Sequence, residues 1–259
     1  MLFRSTTDSV SPLPATVTTG FSGCPRLRKY FLSAEEVVII QDSIDNGAHF
    51  SENQTMAKSK NRTWIKQHVK DPYVVQSQRD GYRSRASYKL LELVEKNKLI
   101  KSGMTVVDLG SAPGGWSQVA SKLVGHKGAV VAVDILPMNP IAGVSFIQGD
   151  FTQQSILEQI LDQIGNRSVD LVISDMAPNL TGMKAVDQPA VVYLAELAVD
   201  LAQQVLAKNG VFIAKLFQGE GFDEFVRNTR TVFNVVSLKK PDASRAKSRE
   251  VYVVAKGLK

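Results

Sequence analysis

The chain has 259 residues, 44% of them apolar, with a formal net charge of +6 and a pI near 9.3. That is enough for one sizeable core plus a tail. No run approaches the roughly 18 apolar residues of a membrane span. The lone Cys24 excludes an intrachain disulfide, and His49, His68 and His126 are too scattered for a Cys/His metal centre.

Residues 1–55 are rich in Ser, Thr and small residues, with Val37-Val38-Ile39-Ile40 as one short apolar stretch and no sustained period. Arg4, Arg26, Arg28 and Lys29 hint at targeting, but Glu35, Glu36, Asp42 and Asp45 spoil an acid-poor transit peptide, and there is no h-region. Met56 begins a basic run, Met-Ala-Lys-Ser-Lys-Asn-Arg. The expectation is a disordered extension, or a start upstream of the natural one, at residues 1–55, and a folded domain at 56–259.

Beyond Arg62 the pattern becomes regular. Ser84–Lys96 reads as a short amphipathic helix. Strands are predicted at Thr105–Leu109, Ala129–Ile135, Val144–Gln148, Val169–Ser174, Gly210–Phe217, Phe233–Leu238 and Val251–Ala255. Helical patterns near Gly115–Leu123, Ile156–Ile164 and Pro189–Leu206 fall between the first five. Such alternation implies an α/β fold, with a mostly parallel seven-stranded sheet and helices on both faces. Only the polar loop Lys239–Glu250 separates the last two strands, so they should pair antiparallel.

The first strand ends in Asp108-Leu109-Gly110-Ser111-Ala112-Pro113-Gly114-Gly115-Trp116. Strand, glycine turn and helix N-terminus make a nucleotide-sized crevice at the carboxyl edge of an open α/β sheet. Gly114 and Gly115 should let a ligand approach backbone, and Asp108 should set a negative charge on the floor. That acid, and a Pro113 without an N–H, disfavour a phosphate. S-adenosylmethionine fits better, as a nucleoside carrying an ammonium and a sulfonium. Asp134 follows Gly110 by 24 positions, near the spacing of a ribose-binding acid. Asp150 could reach a base amino group or simply start the next turn.

Charges also stand at other strand ends. Asp175 follows the fourth strand, and Lys215 lies in the fifth. A charge among apolar neighbours is expensive unless it is paired or exposed at an edge, so these groups should converge on the crevice.

Five runs now stand together: Arg83-Ser84-Arg85-Ala86 with Lys89-Leu90; Val107 to Gln118; Ser174-Asp175-Met176-Ala177-Pro178-Asn179; Lys215 to Gly221; and Ser244-Arg245 with Ser248-Arg249-Glu250-Val251-Tyr252. In unbroken order across residues 60–259 they resemble the FtsJ/RrmJ family, the RlmE-type ribosomal RNA 2′-O-ribose methyltransferases. The resemblance implies a Rossmann-like S-adenosylmethionine-dependent fold with an antiparallel last strand. It also implies a catalytic Lys-Asp-Lys-Glu set at Lys89, Asp175, Lys215 and Glu250, and cofactor contacts at Gly114, Trp116, Asp134, Asp150 and Asp175. No metal is implied. The implied substrate is a uridine of 23S-type rRNA within the assembled 50S subunit, acted on by a cytoplasmic monomer. A tRNA 2′-O-methyltransferase and a non-catalytic assembly factor are the alternatives.

Lys215 is the expected general base, because desolvation beside a second cation favours a neutral amine. Glu250 could instead form only a sheet-edge ion pair, and Trp116 could be core packing. Basic residues cluster at Lys58–Lys70, Arg79–Lys89 and Lys239–Arg249, three segments able to form one polyanion face. Lys66, Arg83, Arg85, Arg245, Lys247 and Arg249 are candidate phosphate contacts, and Tyr88 or Tyr252 could stack on a splayed base.

Overall fold

A computed structural model describes residues 71–178 and 181–259. The expected boundary at residue 56, the segment before it and the basic run Lys58–Lys70 lie outside the described residues.

Two helices open the described part of the chain: α1 (Pro72–Arg79) and α2 (Ala86–Asn97). Asp71 caps α1, its carboxylate accepting from the Tyr73 amide, and Pro72 occupies the first turn, where a missing N–H costs nothing. The alternating part follows as β1 (Thr105–Leu109), α3 (Gly115–Val124), β2 (Ala129–Asp134), β3 (Val144–Gln148), α4 (Gln154–Ile164), β4 (Val169–Ser174), α5 (Lys184–Val205) and β5 (Leu206–Phe217). It closes with α6 (Phe222–Val232), β6 (Phe233–Lys239) and β7 (Glu250–Leu258).

The strands form one seven-stranded sheet in the order β3-β2-β1-β4-β5-β7-β6. From β3 to β5 every pairing is parallel, whereas β7 runs antiparallel to both β5 and β6. The expected antiparallel last pair is therefore present, with β7 inserted inside the sheet. Chain order reverses between β1 and β4, which opens a crevice at their carboxyl ends.

Side chains alternate between two cores. Val106, Leu171, Ile173, Ile213, Tyr252 and Val254 face α2 and α3; Val107, Leu109, Val172, Phe212, Ala214 and Val253 face α4, α5 and α6. Burial on both faces is why β1 and β4 read as continuous apolar runs.

Several boundaries shift, and two helices are additional. Helix α5 begins at Lys184, ahead of Pro189, because the Asp187 carboxylate gathers the Thr181 and Gly182 amides at its start. The signal that would have found α6 is its stripe of Phe222, Phe225, Val226 and Thr229, buried at i, i+3, i+4 and i+7. The signal that would have found α1 is the Asp71-Pro72 start. No helix among the described residues is long and apolar enough to cross a membrane, and none of their His, Cys, Asp and Glu side chains form a group of three able to hold a metal.

Candidate active site

Strand periodicity builds the site. Glu250 and Tyr252 are two apart on β7 and share a face; Lys215 on β5 lies directly opposite Tyr252, and Phe217 opposite Glu250. That face is the one covered by α2, which carries Lys89. Asp175 arrives from the end of β4, one strand over.

The four charges meet as two ion pairs. Lys89 Nζ lies 2.7 Å from Glu250 Oε1, and Lys215 Nζ lies 3.1 Å from Asp175 Oδ1. Lys215 also donates to the Asp175 carbonyl. All four side chains are mostly withdrawn from water. Burial raises the cost of ionising Glu250, but the Lys89 charge and hydrogen bond, the Ser244 hydroxyl and the Lys215 charge outweigh it, and Glu250 titrates below its ordinary value.

Tyr252 joins the pairs, a role the sequence reading did not give it. Its hydroxyl lies 3.0 Å from Asp175 Oδ1 and 3.2 Å from Glu250 Oε1. Burial, then the Asp175 and Glu250 charges, push its pKa well above 10, so the phenol keeps its proton. That single proton serves two carboxylates.

Expected base stacking by Tyr252 is ruled out in this arrangement, since the ring is fully buried against Trp116 at 5.7 Å. Tyr88 is likewise enclosed, with its hydroxyl donating to Asp80 and its ring beside Tyr73 and Tyr82.

The crevice residues are placed less uniformly. Asp108 is fully buried; Oδ2 accepts from Ser117 Oγ at 2.6 Å, while Oδ1 has no partner. Burial, offset in part by the Ser117 bond and reinforced by Asp175 and Asp134, raises its pKa to about 7. Burial thus works against the fixed negative floor expected from sequence. Ser111 Oγ is a second buried atom without a partner in the same turn.

Asp134 Oδ2 accepts from the Ala112 amide and Oδ1 from Leu136, each at 2.8 Å, and burial raises its pKa. Asp150 Oδ1 accepts from Thr152 at 3.0 Å, the turn-starting option. Trp116 is 3% exposed and donates its indole N–H to the Ala86 carbonyl, so packing dominates its role.

Packing alone already requires glycine at 114 and 115. A Cβ on Gly114 (φ 105°) would meet Ile141 at 2.7 Å and Met138 at 2.8 Å, and one on Gly115 would meet Ser84 Oγ at 2.3 Å. Close packing by neighbouring protein segments demands these glycines.

Two of the three basic clusters come together. Glu92 on α2 accepts from the Asp242 and Ala243 amides, and Arg85 donates to the Ala243 carbonyl and to Asp71. These bonds seat the Lys239–Arg249 loop on α2. Arg85, Ala86, Lys89, Arg245, Ser248 and Glu250 line a partly open cavity of about 230 Å³ there. Lys66 lies outside the described residues.

A glycine turn after an acid-ended first strand, with a reversed strand beside the fifth, defines the α/β methyltransferase class of fold. Residues 82–258 match the FtsJ-like methyltransferase family, and the chain belongs to it. It is 63% identical over 203 residues to "Ribosomal RNA large subunit methyltransferase E" of Marinobacter nauticus, covering 78% of this chain and 98% of that protein. The Hahella chejuensis protein of the same name is 58% identical over 205 residues, covering 79% and 100%. A crystal structure from Plasmodium falciparum, described as a ribosomal RNA methyltransferase, superimposes with a TM-score of 0.62 at 29% identity, covering 68% of this chain and 98% of that one.

Two outcomes test this geometry. Below pH 3.8 Asp108 is protonated in folded and unfolded chains alike. Between there and about 7 only the unfolded chain loses the proton, so this contribution to stability is lost as pH rises and is constant above about 7. Relative to Asp108→Asn, the wild type should lose on the order of 3 kcal/mol between pH 5 and pH 8, measured by urea unfolding. Tyr252→Phe should keep its ring on Trp116 yet lower methyl-transfer turnover roughly 10- to 100-fold, the effect of a slightly misplaced reacting group. Wild-type turnover would make the phenol a packing group.

Proposed function

We propose that this chain transfers a methyl group from S-adenosylmethionine to the ribose 2′-hydroxyl of a uridine in 23S-type rRNA, within the assembled large subunit. The observation that carries this reading is the meeting of Lys89, Asp175, Lys215 and Glu250, which are scattered over 161 positions of sequence. The names of the bacterial relatives support the substrate class.

The crevice suits the methyl donor chemically. Asp108 and Ser111 present unpartnered buried oxygens, suited to a cationic group, and Asp134 keeps lone pairs for ribose hydroxyls. Gly114, Asp150 and an edge of Trp116 complete the set assigned to it. When bound, S-adenosylmethionine supplies a methyl already activated by its sulfonium.

Positioning then carries most of the rate, up to ~7–11 kcal/mol for well-aligned groups. Methyl transfer would form the C–O bond as the methyl–sulfur bond breaks, and the 2′-hydroxyl proton would have to leave. Lys215 is the group assigned to take it, once its own ammonium proton has passed to solvent. In the resting arrangement it donates to Asp175, so Asp175 aims the amine, and Lys89 with Glu250 holds the other side of the hydroxyl. A base in place contributes typically ~10²–10⁴-fold. The 230 Å³ cavity beside Lys89 and Glu250, with Arg85 and Arg245 on its walls, would seat a flanking phosphate.

Lys215→Ala should abolish nearly all turnover, at least ~10²-fold, while S-adenosylmethionine affinity by calorimetry stays close to wild type. Nucleotide-resolution mapping of 2′-O-methylation in a deletion strain should lose one large-subunit uridine mark, restored by wild type and not by Lys215→Ala. A mark lost from tRNA alone, or none lost, would overturn the substrate assignment.

A further inference from the structure

Arg83 belongs by sequence to the cluster expected to meet phosphate, but its guanidinium is engaged elsewhere. Nη1 donates to the Pro113 carbonyl at 3.2 Å and the Asn139 carbonyl at 2.6 Å, and Nη2 donates to the Pro140 carbonyl at 2.7 Å. The first carbonyl belongs to the turn after β1, the other two to the loop after β2. A guanidinium has five N–H donors in a rigid plane, and three of them here bridge two separate main-chain segments.

The base of this bridge is itself fixed. The Arg83 amide donates to Gln118 Oε1 on α3 at 3.1 Å, and Gln118 Nε2 donates back to the Gly81 carbonyl at 2.8 Å. Gly114 sits beneath the guanidinium: a Cβ there would come within 3.0 Å of Arg83 Nη1 as well as striking Met138 and Ile141. Turn, loop and arginine therefore pack as one unit.

We infer that Arg83 is a positioning residue, a strut that sets the separation of the two loops forming the mouth of the cofactor crevice. The inference rests on the proposal that S-adenosylmethionine occupies that crevice. A second tie joins the same loops, from Asp134 Oδ2 to the Ala112 amide. Asp134 is also the acid assigned to the ribose hydroxyls, so a ligand competes for its lone pairs. Arg83 uses only main-chain carbonyls, and its tie persists whether or not the crevice is filled. Prior fixing of the loops removes an ordering cost from binding.

Arg83→Lys separates this role from phosphate binding. Lysine keeps the positive charge and the stem but replaces the planar fork by one nitrogen. Three readings on the full chain decide the matter, with Arg83→Gln in parallel. They are hydrogen exchange of residues 111–115 and 138–141 without ligand, calorimetric affinity for S-adenosylhomocysteine, and the salt dependence of binding to a large-subunit rRNA fragment.

The expected result is loss of loop protection in both variants and an S-adenosylhomocysteine affinity weaker by about tenfold or more, with the RNA salt slope unchanged. Wild-type loop protection and affinity in Arg83→Lys, with a salt slope reduced by about one in Arg83→Gln, would make Arg83 a phosphate contact and overturn the inference. Failure of the wild type itself to bind S-adenosylhomocysteine would defeat the cofactor reading, while the exchange data would still decide the strut.

Discussion

An ammonium or carboxylate withdrawn from water keeps its charge only beside an opposite charge, and the carboxyl edge of this sheet holds four such groups as two contacts. Lys89 meets Glu250 and Lys215 meets Asp175, so the cluster is neutral overall. Removing one member leaves its partner uncompensated, a loss typically worth ~3–5 kcal/mol for a buried pair. The same pairing that makes burial tolerable aims both amines at one place. Tyr252 couples the pairs, because its single proton is within reach of a carboxylate from each.

One reversed strand makes this convergence possible. Because β7 runs antiparallel to β5, its first residue, Glu250, lies beside the last residue of β5, Phe217. A parallel β7 would carry Glu250 to the opposite end of the sheet. The reversal also brings the loop before β7 to the active edge, where Glu92 and Arg85 seat it on α2. The Glu250 carboxylate and a basic loop are thus delivered together.

The crevice and the tetrad share a border. Asp108 lies on the sheet face that also carries Tyr252, and the Asp175 charge helps raise its pKa. Trp116, expected at the cofactor, packs on Tyr252 and fixes the ring whose hydroxyl serves the tetrad. Charge at one end of the site is therefore felt at the other through a few buried side chains.

Local chemistry made much of this legible in the chain itself. Apolar patterning marked every strand to within a few residues, most clearly in β1 and β4, which are buried on both faces. The missing helix between the last two strands predicted the antiparallel pair, and Asp175 and Lys215 stood out at strand ends, whereas Lys89 and Glu250 came only with the family resemblance. Helices α1 and α6 escaped because one is short and the other is mostly polar outside its buried stripe.

Partnership was decided by the tertiary structure alone. Nothing in the spacing of Arg83 distinguishes a phosphate contact from a strut, or tells whether Tyr252 stacks on a base or sits sealed beneath Trp116. Those outcomes depend on which groups, 30 to 160 positions apart, fill a side chain's hydrogen bonds first. Residue type determines what chemistry a group can perform; packing determines which donors and acceptors are left free to perform it.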